Sequence, residues 1–367
     1  MKRVLVLLVS FSMTYLNSYA DNTDASMQDM MKLLSKGLSK KQVMPVNIQL
    51  LEKDNYLLFQ RNAPLNRLTV HYGSEETQKI PTNCIGRPIS SSGLSKEIDI
   101  LNNIEMLKIT KIYKDNNKYI VVGYEQNMTS HSTHQAAIMA VNQNGKTLWK
   151  TIVGTGKSYS EAMVQTSSNG YMIVGHDFIW QSADKSRGNY HVMVAKVNQK
   201  GEKVWTKHYS LDGSFAKGRN IEKTNDGGFI IVGETHSKAW IFKIDASGNK
   251  VWETFFDTAK TPDRAYAVHN NRQDGYIILG RSNRSGLIGD KSWIMKVNYS
   301  GKTEWNTYFE IGKLFEMGQL FDLQTVNQIE PDEFVVTGFL PFSKSIFFMN
   351  IDLDAGVMSK NIVNLEQ

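Results

Sequence analysis

The sequence is short of cysteine: 367 residues hold one, Cys84. An intramolecular disulfide is therefore excluded, and Cys84 lies too far from the N-terminus to be a lipoprotein anchor. A lone cysteine of this kind reads as a small buried apolar side chain. Also missing is any run of lysine and arginine long enough to line a nucleic-acid groove. The formal net charge is only +6, a mild excess that speaks to solubility, so no nucleic-acid partner is expected. No GxSxG elbow, HExxH helix or Ser-His-Asp order appears. The segments GTGK (154–157) and SNRSGLIGDKS (282–292) lack the GxxxxGK[ST] spacing of a phosphate loop. These absences lean away from an enzyme without excluding one, and no cofactor is expected. Beyond the N-terminus no apolar stretch approaches the roughly twenty residues of a membrane-spanning helix.

What is there begins with MKRVLVLLVSFSMTYLNSYA: a basic head at Lys2 and Arg3, an apolar run from Val4 to Leu16, and small residues ending at Ala20. That is the pattern of a secretory signal peptide (1–20) cleaved near Ala20. With no disulfide and a mild charge, it favours the periplasm of a bacterium over the medium. Residues 21–44 read as an N-terminal helical or linker segment, with Met27, Met30, Met31, Leu34 and Leu38 at helical spacing and Asp24 as a cap.

The remainder, 45–365, repeats itself. KYIVVG, GYMIVG, GFIIVG, GYIILG and EFVVTG end at Gly123, Gly175, Gly233, Gly280 and Gly338. A period near fifty residues means stacked supersecondary units. A second strand follows each, ending at Asn142, Asn198, Asp245, Asn298 or Asp352. Three residues later come Gly145, Gly201, Gly248 and Gly301, and the fifth copy reaches Gly356 one residue late. An Asx side chain bonding the backbone two residues on, with glycine accepting a positive φ at the fourth position, makes a tight hairpin turn. Four residues beyond the four regular glycines stand Trp149, Trp205, Trp252 and Trp305. A tryptophan at the same place in each unit is expected to pack between neighbouring units rather than to form a ligand box.

Each unit then has four antiparallel strands, A to D, and radial repetition of such sheets is an all-β β-propeller. Five repeats are clear, and a degenerate sixth spans Val46–Ile80, with Gln60 where the glycine should be. Six blades are expected, seven being the alternative if 81–104 hold another. The pattern resembles a family of bacterial exported propellers with repeats of the form DGGYIVVG…WLVKLDSNGNVVW, over about residues 105–363. More distantly it resembles the tryptophan-docked propellers of quinoprotein dehydrogenases and outer-membrane assembly lipoproteins, although the vicinal cysteine pair of the former is absent. The resemblance implies the fold and export, and carries over no catalytic residue.

Function is expected on the B–C and D–A connections, which leave one end of a propeller and here are long and uneven. The first B–C connection carries His131 and His134, a weak metal candidate because HxxH needs a helix to share a face. The second, His176 to His191, reads as a long loop and places Asp177, Trp180, Asp184, Arg187, Tyr190 and His191 on one rim. Aromatics mixed with both charges suit an interface anchor. Lys157, Lys217, Lys260 and Arg264 add a mildly basic rim. The function expected is a non-enzymatic binding or scaffold module in the envelope, of assembly or immunity type, holding another protein through this end. The alternative is a hydrolase- or lyase-like enzyme or a glycan-binding protein with a central pocket.

Overall fold

The computed structural model describes residues 42–50, 55–63, 67–74, 96–98, 108–127, 133–142, 146–258, 262–271, 273–282, 291–309, 322–330, 333–340, 345–352 and 356–364. The chain divides into two compact units, 1–42 and 43–367. The expected leader and N-terminal helix, Cys84, His131, Gly145 and Lys260 lie outside the described residues. No helix among the described residues is long and apolar enough to cross a membrane.

The architecture of the second unit is an all-β propeller with five blades of four antiparallel strands. Blade 1 is β5 (Lys108–Asp115), β6 (Lys118–Asn127), β7 (Thr133–Asn142) and β8 (Thr147–Ile152). Blade 2 is β9 (Ser158–Gln165), β10 (Tyr171–Trp180), β11 (Gly188–Val197) and β12 (Lys203–Tyr209). Blade 3 is β13 (Ala216–Lys223), β14 (Phe229–Thr235), β15 (Lys238–Ile244) and β16 (Lys250–Phe256). Blade 4 is β17 (Asp263–Asn270), β18 (Gly275–Ser282), β19 (Lys291–Asn298) and β20 (Thr303–Phe309). Blade 5 is β21 (Asp322–Glu330), β22 (Glu333–Leu340), β23 (Ser345–Asp352) and β24 (Gly356–Asn364). Strand order within each sheet is sequential. Another sequential four-stranded sheet precedes them: β1 (Gln42–Leu50), β2 (Asn55–Ala63), β3 (Arg67–Ser74) and β4 (Lys96–Ile98).

Burial explains the sequence pattern. Successive first strands adjoin one another, β5 to β9 to β13 to β17 to β21, so the A strands are innermost. The B strand Phe229–Thr235 is buried at every residue, whereas the D strand Lys250–Phe256 is exposed or half-buried throughout. A sheet covered on both faces has no polar side to alternate with, which is why the motif reads as a continuous β-branched run. Each apolar core cluster is shared by two successive blades: Ile120, Ile138 and Ala140 with Tyr171, Ile173 and Met193, for example, or Ile230 and Ile241 with Tyr276 and Met295.

The tryptophans and the C–D turns form a single device. Trp149, Trp205, Trp252 and Trp305 each pack against the cluster between their own blade and the next. Three of the rings lie under the turn glycine of the following blade. A Cβ added to Gly201 would fall 2.6 Å from Trp149 Cε3, to Gly248 2.9 Å from Trp205 Cη2, and to Gly301 2.7 Å from Trp252 Cδ2. These glycines have φ of +88°, +84° and +88°. The Asx turns form as expected: Asp245 Oδ1 accepts from Ser247 N at 2.9 Å and Asn249 N at 2.8 Å, and Asn198 Oδ1 accepts from Lys200 N at 3.0 Å.

The glycine closing the VVG motif has a different cause in blades 2 and 3. Opposite it every A strand carries a β-bulge, with Thr110, Glu161, Arg219, Tyr266 and Gln324 as the extra residues. The bulge pushes the A-strand backbone toward the B strand. A Cβ on Gly175 would lie 2.9 Å from the Tyr159 carbonyl carbon, and one on Gly233 2.9 Å from that of Lys217.

Candidate functional site

The bulges sit at the end where the D–A connections enter and the B–C connections leave, and they position the chemistry there. In blades 2 to 4 the A strand alternates buried and half-buried residues, presenting Tyr159 and Glu161, Lys217 and Arg219, and Arg264 and Tyr266 on its less buried side. The residue after each motif glycine lies directly across from the first of each pair: His176 faces Tyr159, Glu234 faces Lys217, and Arg281 faces Arg264.

Glu234 is the hub of the charged half. Its Oε1 accepts from Arg219 Nη2 at 2.5 Å and its Oε2 from Arg264 Nε at 2.6 Å, joining blade 3 to blade 4. Burial raises a carboxyl pKa, but the two guanidinium groups outweigh it and hold Glu234 below the usual range. Arg219 also lies over the Tyr266 ring at 4.8 Å. His176 is buried and kept neutral, first by burial and then by the positive charges of Lys217 and Arg219. Its Nδ1 stands 3.7 Å from Glu161 Oε1.

Beside it runs a chain of rings. His134, Tyr159 and His176 stack in sequence at 5.2 and 4.8 Å, with Tyr124 edge-on to Tyr159 at 4.8 Å. Tyr190 continues the chain, edge-on to His176 at 5.2 Å and to Phe178 at 5.3 Å, and Trp180 sits edge-on to Phe178 at 4.9 Å. The ammonium groups of Lys157 and Lys217 lie 5.9 and 5.5 Å from the Tyr190 centroid.

The expected loop from His176 to His191 is therefore corrected. β10 and β11 pair without interruption from Tyr171↔Val197 to Trp180↔Gly188, leaving only 181–187 as loop. The physical reason is alternation, which the loop reading overlooked: His176, Phe178 and Trp180 share one face with Tyr190, and they pack as a ladder of rings. The same periodicity divides the expected rim. Asp177 and His191 point to the opposite face. Asp177, fully buried, accepts from Thr155 N at 2.8 Å, from Thr155 Oγ1 at 2.7 Å, and meets His208 Nε2 at 3.1 Å. Burial would raise its pKa, yet these hydrogen bonds hold it below the usual range. His191 Nε2 reaches the Gly213 carbonyl at 3.4 Å, joined there by Asn189 Nδ2 at 3.2 Å and by Gln181 Nε2. Asp184 and Arg187 belong to the exposed tip, where hydrogen bonds from Ser182 and then Ser186 pull the Asp184 carboxylate down to about 2 as it closes its own turn. Only Trp180 is widely exposed among the aromatics of the ribbon, at 50%.

His134, a weak metal candidate, is part of the ring stack, its Nδ1 3.2 Å from the Tyr159 hydroxyl. No group of three or more metal-ligating side chains occurs among the described residues. Of the expected basic rim, Lys157 and Lys217 do converge on Tyr190, while Arg264 is paired with Glu234. The sequence reading missed Tyr159, Glu161, His176, Arg219, Glu234, Tyr266 and Arg281. The signal for three of them was there: His176, Glu234 and Arg281 each follow a motif glycine.

No protein-family model matches the chain, and no curated protein does. Among solved structures it is similar to a putative 6-phosphogluconolactonase from Bacteroides uniformis, 11% identical with a TM-score of 0.48, covering 89% of this chain and 98% of that one. A protein of unknown function from Bacteroides caccae is 10% identical with a TM-score of 0.46, covering 81% and 89%. An exo-beta-1,3-galactanase from Phanerochaete chrysosporium is 10% identical with a TM-score of 0.44, covering 73% and 65%. Likeness at this level transfers neither activity nor ligand, and what stands from the chain's own geometry is a β-propeller with aromatic and charged side chains gathered at one end.

Proposed function

We propose that the protein is an exported binding propeller of a bacterial envelope, a non-enzymatic module that holds another protein against the end formed by the B–C and D–A connections. The observation that carries this reading is Trp180, half in solvent at the tip of a ribbon of two ten-residue strands. That ribbon is braced from behind by three side chains on the Gly213 carbonyl and from the front by the Phe178–Tyr190 contact. An exposed tryptophan on a rigid mount suits an interface anchor, since little further ordering is lost on binding. Export rests on the leader pattern of residues 1–20. Membership of the DGGYIVVG-type repeat family rests on the period, the Asx–glycine turns and the docked tryptophans. The sheet β1–β4, with the same strand order as the others, serves as the sixth blade.

An enzyme built on the axial cluster fits less well. A general acid needs a pKa near the working pH, and both oxygens of Glu234 are held ionised by guanidinium groups. The test is affinity capture from envelope extract with wild type and Trp180→Ala. Capture should be lost in the variant while its thermal unfolding stays within a degree or two, because the side chain is half exposed. Retention of every partner by Trp180→Ala would refute the reading. Tyr190→Ala is unsuited to this purpose, since that ring is a hub of the fold.

A further inference from the structure

Positive charge at the axial end is concentrated and only partly answered. Among the described residues, Lys217, Arg219 and Arg264 gather there about the carboxylates Glu161 and Glu234. Glu234 is buried and bonded to two guanidinium groups, and it lies directly across from Lys217, so one carboxylate is shared among three cations. Lys217, half-buried, has ring faces for neighbours: Tyr190 at 5.5 Å and Phe215 at 5.4 Å. One buried nitrogen in the same cluster, Arg219 Nε, has no hydrogen-bond partner. A buried donor without an acceptor is costly, and a guanidinium with a free edge is suited to a carboxylate.

We propose that this cluster on blades 2, 3 and 4 is a carboxylate-binding subsite that takes an aspartate or glutamate side chain from an acidic segment of the partner protein. The inference rests on the binding face assigned above and names the chemistry of what binds there. An acidic peptide suits the surroundings better than an acidic sugar, because a pyranose needs a bare aromatic face. Tyr159 is covered on both faces by His134 and His176. Tyr266 carries Arg219, and Tyr190 carries Lys157 and Lys217. Of the three exposed aromatics among the described residues, Trp180, Tyr308 and Phe215, the first and last, at 50% and 39%, lie at the rim beside Lys217, where they meet the apolar side chains flanking an acidic one. Lys217 is the attracting charge and Glu161, at the opposite side, a competing one.

The experiment is a calorimetric titration of the full chain with hexaglutamate, with hexaglutamine and hexagalacturonate as the other arms, at low and moderate salt. Hexaglutamate should bind at least tenfold more tightly than hexaglutamine, and the difference should shrink as salt rises. Lys217→Gln should weaken hexaglutamate binding about tenfold, Lys217→Arg should restore most of it, and Glu161→Gln should tighten it several-fold. A merely structural lysine predicts no gain from Glu161→Gln, which keeps the outcome separate from misfolding. Equal binding of hexaglutamate and hexaglutamine overturns the subsite, as does an unchanged affinity in Lys217→Gln. Binding of hexagalacturonate alone overturns the choice of a peptide. If Trp180→Ala abolishes capture of the partner while Lys217→Gln leaves it intact, the face stands and the carboxylate subsite falls. If neither variant alters capture, the face itself is misassigned.

Discussion

Gly201→Ala is the sharpest test of how the blades are joined. Two costs arise from one methyl group. The φ of Gly201 is +88°, where an alanine loses roughly 1–2 kcal/mol relative to a right-handed conformation. The new Cβ would also lie 2.6 Å from Trp149 Cε3 and 2.7 Å from Cγ, where ordinary contact begins near 3.4 Å. The ring must therefore retreat by about 1 Å out of the cluster it shares with Tyr171 and Ile173, an overpacking of the kind that costs about 1–3 kcal/mol. The two add to about 2–5 kcal/mol. Gly227→Ala is the control, because Gly227 has a similar φ of +81° and nothing within 4 Å of an added Cβ, so it should carry the backbone cost alone.

The measurement is urea unfolding followed by far-ultraviolet circular dichroism, comparing midpoints where the slope is unchanged. Gly201→Ala should fall below Gly227→Ala by at least about 1 kcal/mol. In a Trp149→Ala background the extra penalty should vanish, giving a coupling of about 1–3 kcal/mol between the two sites. If the two glycine variants are equally destabilised, or the Gly201 penalty survives loss of the ring, the tryptophan is not seated beneath the turn of the next blade.

The ion-paired hub offers a second expectation: Glu234→Gln leaves Arg219 and Arg264 facing each other across a part-buried seam, and unfolding should ease by about 2–3 kcal/mol, the lower end of what breaking a buried pair costs because both arginines keep some solvent contact. A loss below about 0.5 kcal/mol, the range of an exposed pair, would show that the hub does not bind blade 3 to blade 4. Acid should act through His176, which burial and the charges of Lys217 and Arg219 hold neutral in the fold, whereas the unfolded chain takes up a proton near pH 6.5. Its folded pKa being depressed, the contribution is complete above about pH 6.5 and is lost as the pH falls from there toward the folded value, at up to about 1.4 kcal/mol per pH unit. Urea midpoints measured between pH 7.5 and 5 should show this slope, His176→Phe should flatten it by about one proton, and an unaltered slope in that variant would contradict the assignment.

The fold was legible because its signals are local and recur. Asp245 with Gly248, or Asn198 with Gly201, is a turn signature that needs no knowledge of the rest of the chain, and a run such as Phe229-Ile230-Ile231-Val232 is a buried strand whichever neighbour covers it. The position of Trp205 relative to that turn was enough to place it between units, although which glycine it meets is a fact of the next blade. The ribbon was harder. Trp180-Gln181-Ser182-Ala183-Asp184 reads as loop from its polarity, and the alternation that extends the strand to Trp180 is visible only once His176, Phe178 and Tyr190 are recognised as one face. Asp177, His191 and Trp180 were grouped because they are close in sequence, and a period of two sends them to opposite sides.

The charged cluster was hidden for a different reason: its members come from three blades and none belongs to a motif. Yet the chain marks the place by contrast with itself. Across the five copies, positions answering to packing keep their residue type: the motif glycine under the bulge, the turn Asx, and, through the fourth copy, the docked tryptophan. The bulged residue does not, being Thr110, Glu161, Arg219, Tyr266 and Gln324 in turn, nor does the residue after the glycine, which is Tyr124, His176, Glu234, Arg281 and Phe339. A bulge frees its extra residue from the ladder and re-aims its side chain, so strand pairing places no demand on what that side chain is. Five equivalent positions facing one end, each freed from the ladder, carry five different side chains on a frame that is otherwise repeated. On the binding role proposed above, Lys217 answers to the ligand, whereas Arg219 and Arg264 also serve the propeller by tying blade 3 to blade 4 through Glu234.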